Sequence, residues 1–129
     1  MIPDWIEKSA TNPAFIAEVI RHMKVKHNGR DRADKLPGLL AEMLGSISGS
    51  KSYSNDNRTL RRAFEIVNQD HCGMIVSDTE VGYWWAANLA EGMEAVEKNK
   101  ARAKTILSNA HTVESNITAA YGGQIGMTL

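Results

Sequence analysis

Cysteine is nearly absent from the 129-residue chain, and the single one, Cys72, excludes an internal disulfide framework. The reducing cytoplasm is therefore the expected compartment. No uncharged run approaches the length of a membrane span, and "MIPDWIEKSA" carries early acids where a secretory signal needs a long apolar stretch. Aromatics are few: three Trp, three Tyr and two Phe, of which Tyr83, Trp84 and Trp85 stand side by side. Catalytic signatures are also missing. The chain has no G-x-S-x-G, P-loop, H-E-x-x-H or dinucleotide fingerprint, so no enzyme, cofactor or small-molecule substrate is expected. Asp31/Asp34 and Glu94/Glu97 fall in turns or helix starts, where structure already accounts for them. His71-Cys72 invites a metal, but zinc needs about four ligands. With no second cysteine, and with His22, His27 and His111 scattered along the chain, none is expected.

The formal net charge is zero, yet the charges are segregated. From Ile20 to Arg62 there are ten Lys/Arg and four Asp/Glu, and from Ala63 to Glu97 seven acids and no Lys or Arg. Residues 98–104, "KNKARAK", restore four basic groups. One basic and one acidic surface are implied.

Asn12-Pro13 predicts a helix start, a capping side chain followed by proline at the first helical position. Phe15, Ile16, Val19, Ile20 and Met23 continue at helical spacing up to the turn signal Asn28-Gly29. "KLPGLLAEMLG" predicts a short second helix stopped by Gly45. Ser54 is the expected cap of a third helix, about residues 55–69. In it Leu60, Ala63, Phe64 and Val67 form one apolar face, while Arg58, Arg61, Arg62 and Glu65 face the opposite way. Met74–Val76 and Tyr83–Ala86 predict a two-stranded hairpin closed by Gly82, with Trp84 on the opposite face from Tyr83 and Trp85. The aromatic triplet suits packing against helices better than stacking on single-stranded nucleic acid. "NLAE" resembles a capping box, Asn88 with Glu91, at the head of a long helix expected over 89–119. Residues 120–129 are expected to be a flexible tail.

The expected fold class is mainly α with a two-stranded β-hairpin (α+β). Three helices followed by a hairpin is the chain order of a winged helix-turn-helix, followed here by a long C-terminal helix. The boundaries are an N-terminal extension over 1–12, the winged domain over 13–88, and the long helix as a dimerisation element.

The motifs "NRTLRRAFEIV", "GMIVS", "GYWWA" and "KARAKTILSNA", preceded by "HNGRDRADKLPGLLAEMLG", resemble small winged helix-turn-helix proteins of phage and prophage genomes. The resemblance covers about residues 13–117. It implies sequence-specific double-stranded DNA binding by a transcriptional regulator or replication-associated factor. The third helix would be the recognition helix. Its amino end and entry loop offer Lys51, Ser54, Asn55, Arg58, Arg61 and Arg62. Arginine forks suit guanine or phosphate, and asparagine suits adenine. Base-edge contacts are expected from Asn55, Arg58 and Arg62, since Arg61 is also placed to pair with Glu65. Lys24, Lys26, Arg30, Arg32 and Lys35 are candidate phosphate contacts. The wing would comprise Asp78, Thr79, Glu80 and Tyr83, although carboxylates near phosphate oppose its insertion. The long helix carries an apolar stripe, with Met93, Val96, Ala103, Leu107 and Ala110 as the expected homodimer seam and Leu89 and Ile117 beyond it. The alternative is a winged-helix-shaped protein-interaction module without DNA affinity, which the acidic wing, zero net charge and apolar helix would suit.

Overall fold

The computed structural model describes residues 1–128, with side chains to residue 122. It contains four α-helices and a two-stranded antiparallel sheet. Two compact units divide it, Met1–Val96 and a second beginning at Glu97.

Helix α1, Pro13–Lys26, begins as its sequence dictates. Asn12 Oδ1 accepts the Ala14 N–H at 3.0 Å, and Pro13 takes the first turn, where no backbone donor is needed. Phe15, Ile16, Val19 and Met23 face inward with His22 among them. Helix α2, Leu36–Leu44, buries Leu39, Leu40, Met43 and Leu44. It stops at Gly45 (φ 65°), where the Ser46 N–H reaches back to the Leu40 carbonyl. Helix α3, Tyr53–Asp70, buries Leu60, Ala63, Phe64 and Val67, the face predicted by spacing, and Asp56 besides. Ser54 lies inside it and does not cap it: Ser52 holds the cap position, with no side-chain bond. At its other end Cys72 takes a left-handed φ of 53° and Gly73 N–H closes on the Val67 carbonyl.

Strands β1, Ile75–Asp78, and β2, Gly82–Trp85, pair as Ile75↔Trp85, Val76↔Trp84, Ser77↔Tyr83 and Asp78↔Gly82. The far edge of β2 takes a partner from between α1 and α2. Trp85 N–H donates to the His27 carbonyl at 2.7 Å, and Gly29 N–H to the Trp85 carbonyl at 2.9 Å. Asp34 and Tyr83 exchange bonds of 3.1 and 2.8 Å. A 3-10 turn, Arg30–Arg32, spans the gap between these two contacts. Strand β2 is thus paired on both sides.

One core joins the three helices to one face of the hairpin. Phe15, Val19, Met23, Leu39, Leu40, Met43 and Leu60 are fully inaccessible. Trp85 is buried in this core and Tyr83 packs at its margin, its ring 5.2 Å from Phe64. Trp84, on the other face, is buried outside that cluster. Residues 1–12 are not an extension: Ile2 and Ile6 enter the core, and Ile2 N–H bonds the Met43 carbonyl at 2.8 Å. The reason is apolar burial of two isolated side chains, which no periodicity announces.

Asn68 joins helix to strand. Its amide donates to the Ile75 carbonyl at 2.9 Å and accepts the Ile75 N–H at 3.0 Å. Asn68→Ala is expected to cost about 1–2 kcal/mol in urea unfolding, since both backbone groups lose their partner. A loss under about 0.5 kcal/mol would mean that water replaces the amide at no cost.

Helix α4 spans Leu89–Thr128, well past the expected end at 119. No proline interrupts it, and the glycines at 122 and 123 weaken a helix without forbidding one. The tail expected over 120–129 is therefore helical to Thr128, and Leu129 lies outside the described residues. Asn88 caps α4 by accepting the Glu91 N–H at 2.9 Å. The box is not reciprocal, because the Glu91 carboxylate accepts the Arg30 backbone N–H at 2.8 Å instead. Among the described residues no helix is long and apolar enough to cross a membrane.

Candidate nucleic-acid interface

Burying one face of α3 leaves the other to solvent. Ser54, Asn55, Arg58, Arg61 and Arg62 are exposed on it, and Lys51 is exposed in the loop that enters it. Periodicity alone produces this juxtaposition: positions 54, 58, 61, 62 and 65 recur every three or four residues. Arg62, not Arg61, pairs with Glu65, its Nη1 standing 2.8 Å from Oε2. Both spacings are allowed on a helix, so the rotamers decide. The pair is exposed on both sides and worth about 0.2–1 kcal/mol at most. Arg58 and Arg61 have no ion-pair partner among the described residues. Arg61 also edges a small cleft of about 220 Å³ with Phe64, Asn68, Ser77 and Tyr83, where α3 meets the hairpin.

The hairpin tip is short. Asp78 Oδ1 accepts the N–H groups of Glu80 (2.6 Å) and Val81 (3.3 Å), which folds Thr79–Val81 into a tight turn. Arg30 reaches the tip from the 3-10 turn, its Nη2 lying 3.2 Å from both Asp78 Oδ2 and Glu80 Oε2. Arg30 is therefore committed to the hairpin tip, unlike the free cation expected from the sequence. Lys24 is likewise occupied, with Nζ 5.1 Å from the centre of the Trp85 ring. Lys26, Arg32 and Lys35 are exposed. Tyr83 lies within β2 against Phe64, away from the tip.

The Glu80 N–H holds the Asp78 carboxyl below its ordinary value, helped by Arg30 and the Val81 N–H against some desolvation. A depressed carboxyl stabilises the turn above its unfolded value and loses that effect as pH falls through the folded one. The Glu80 and Val81 amide shifts are expected to titrate together, with a midpoint below the ordinary aspartate value of about 3.9. A midpoint at or above that value would remove Asp78 as the organiser of the turn.

The expected dimer residues divide between the units. Met93 and Val96 line an apolar groove of about 570 Å³ in the first unit, together with Met74, Val76 and Leu89. Ala103, Leu107 and Ala110 are exposed in the second unit, as are Ile106, Val113, Ile117 and Tyr121.

One constellation escaped sequence reasoning. His22 and His27 are not scattered: both converge on the Glu42 carboxylate. Burial pulls the His22 imidazole below its ordinary value, against the opposing effect of Glu42. Partial burial pushes the Glu42 carboxyl up, but the two imidazoles beside it outweigh that effect and the net direction is down.

No family model, curated protein or solved structure matches the chain.

Proposed function

We propose that the protein binds double-stranded DNA as a winged helix-turn-helix, with the amino half of α3 as the reading element. The observation that carries this reading is the division of α3 itself. Leu60, Ala63, Phe64 and Val67 fasten it to the core, while Arg58 and Arg61 extend from the opposite face with no acidic partner among the described residues. A helix anchored on one side and cationic on the other is suited to a major groove. The bonds between β2 and the segment after α1 support the same architecture, since a winged sheet draws its third partner from between the first two helices. The acidic wing is less of an obstacle than its sequence suggests, because Arg30 stands between Asp78 and Glu80 and offsets both.

Phosphate contacts fall to Lys51, Lys26, Arg32 and Lys35, and base-edge contacts to Asn55, Arg58 and Arg61. A role in phage-type transcriptional regulation or replication rests on the motif resemblance. Selection of bound duplexes from a random pool, followed by a salt titration, tests the reading. Affinity should fall steeply with salt, as several released counterions require. Failure to enrich any sequence, with salt-independent binding, would favour the protein-interaction module.

Homodimerisation is part of the proposal. Ala103, Leu107, Ala110, Val113, Ile117 and Tyr121 are exposed at three- and four-residue spacings on one helix, which is a seam in want of a second copy. Leu107→Asp should convert a dimer to a monomer in sedimentation equilibrium. A wild-type monomer at all concentrations would remove the dimer from the scheme.

A further inference from the structure

His22 lies near the end of α1, His27 takes the position just beyond it, and Glu42 lies on α2. Their ligating atoms fall within 4.8 Å of one another. The two imidazole Nε2 atoms approach the same oxygen, Glu42 Oε1, and that of His27 stands 3.1 Å from it. The opposite nitrogen of His27, Nδ1, lies 2.8 Å from the Arg32 carbonyl oxygen. A carbonyl only accepts, so Nδ1 carries the hydrogen, and in the neutral ring Nε2 presents a lone pair toward a carboxylate. Two acceptors facing each other repel unless a positive charge stands between them.

A proton could supply that charge only by making His27, its side chain 7% exposed, a buried imidazolium, while a neutral His22 can donate from its own Nε2. One divalent ion satisfies all three donors at once. Two imidazole nitrogens and a carboxylate oxygen form a set suited to zinc and its neighbours. A ring N–H held by a backbone carbonyl is the outer contact that fixes tautomer and orientation in a ligating histidine.

We propose that His22, His27 and Glu42 form a binding site for a divalent transition cation of the Zn2+ class, which fastens the end of α1 to α2. Both histidines ligate through Nε2. Glu42, whose side chain is 37% exposed, turns the site toward solvent, from which water completes a four-coordinate shell. The unfolded chain has no such arrangement, so the ion raises the stability of the fold. Nothing in this site depends on contact with DNA.

The test uses the full untagged chain, stripped with a chelator and titrated with ZnCl2 and, separately, CoCl2. One ion per chain is expected, with a rise in melting temperature and a visible d–d band from Co2+. In the wild type the ring-nitrogen resonances of His22 and His27 should move on adding Zn2+, while those of the exposed His71 and His111 stay in place. Glu42→Gln and His22→Gln should each weaken binding by about 100-fold or more, since losing a direct ligand exceeds the 10–100-fold of an outer-shell change. Absent saturable binding, movement at His71 or His111 instead, or an unchanged affinity in a folded Glu42→Gln chain would each overturn the proposal. If neither variant folds, the ring-nitrogen shifts of the wild type decide alone.

Discussion

If α3 reads DNA as proposed, a chain carrying Arg58→Ala together with Arg61→Ala is expected to bind its preferred duplex at least about 30-fold more weakly than the wild type, at about 1–3 kcal/mol per contact. The size follows from what these two side chains are doing in the free protein. Neither is held by an acid among the described residues, so no such pair has to be broken before DNA is met. Arg62 differs, because its guanidinium already lies on Glu65. Any gain from moving Arg62 to DNA is reduced by loss of that pair, about 0.2–1 kcal/mol. Arg62→Ala alone should therefore cost less than Arg58→Ala, and Glu65→Ala should strengthen binding slightly. The pattern across sequences separates the roles. Equal losses on specific and random DNA, with a shallower salt slope, assign Arg58 and Arg61 to phosphate. A loss confined to the preferred site assigns them to base edges. Unchanged binding of the double variant to the selected site would remove α3 as the reading element.

Gly82→Ala is the second large effect, expected to destabilise the fold by about 3 kcal/mol. Gly82 opens β2 with φ of 98°, a region that an L side chain enters only under strain. A methyl group at this position would also run into the Asp34 carbonyl and the Lys35 backbone. Both belong to the segment that bonds the outer edge of β2, so the clash cannot be relieved by rotating a side chain. Gly49 supplies the comparison: its φ is 91°, but a Cβ there meets nothing within 4 Å. Gly49→Ala should thus show only the backbone strain, about 1–2 kcal/mol. Equal losses in urea unfolding at the two sites would mean that the strand and its neighbour separate at little cost.

The helices were legible wherever chemistry acts within a few residues. Asn12-Pro13, the αL glycine at Gly45 and the four apolar positions of α3 are local signals, and each appears where its spacing places it. The hairpin was readable for the same reason, through Gly82 and the β-prone runs around it. What escaped was every contact between segments distant in the chain. The segment around Asn28 and Asp34 pairs with β2 through single bridges flanking a 3-10 turn, which leaves no alternating pattern to find. His22 sits in an apolar stripe and His27 follows a helix end, so neither marks itself as a partner of Glu42 until α1 and α2 are packed. Ile2 and Ile6 are isolated apolar residues that only burial explains. Lys24 and Arg30 read as free cations because their partners, Trp85 and the hairpin tip, arrive far later in the chain.

The double-sided pairing of β2 also sets an order of events during synthesis. All three core helices leave the ribosome before the strand that joins their sheet exists. Until Tyr83 and Trp85 are made, the backbone groups of Asp34 and the His27 carbonyl lack these strand partners. The early chain can form helices quickly, because these need only nearby residues. Closure waits for the most distant contacts and engages both edges of one four-residue strand. A nascent chain halted before that strand keeps an open sheet edge and an uncovered core, the state in which a small protein is most prone to aggregate.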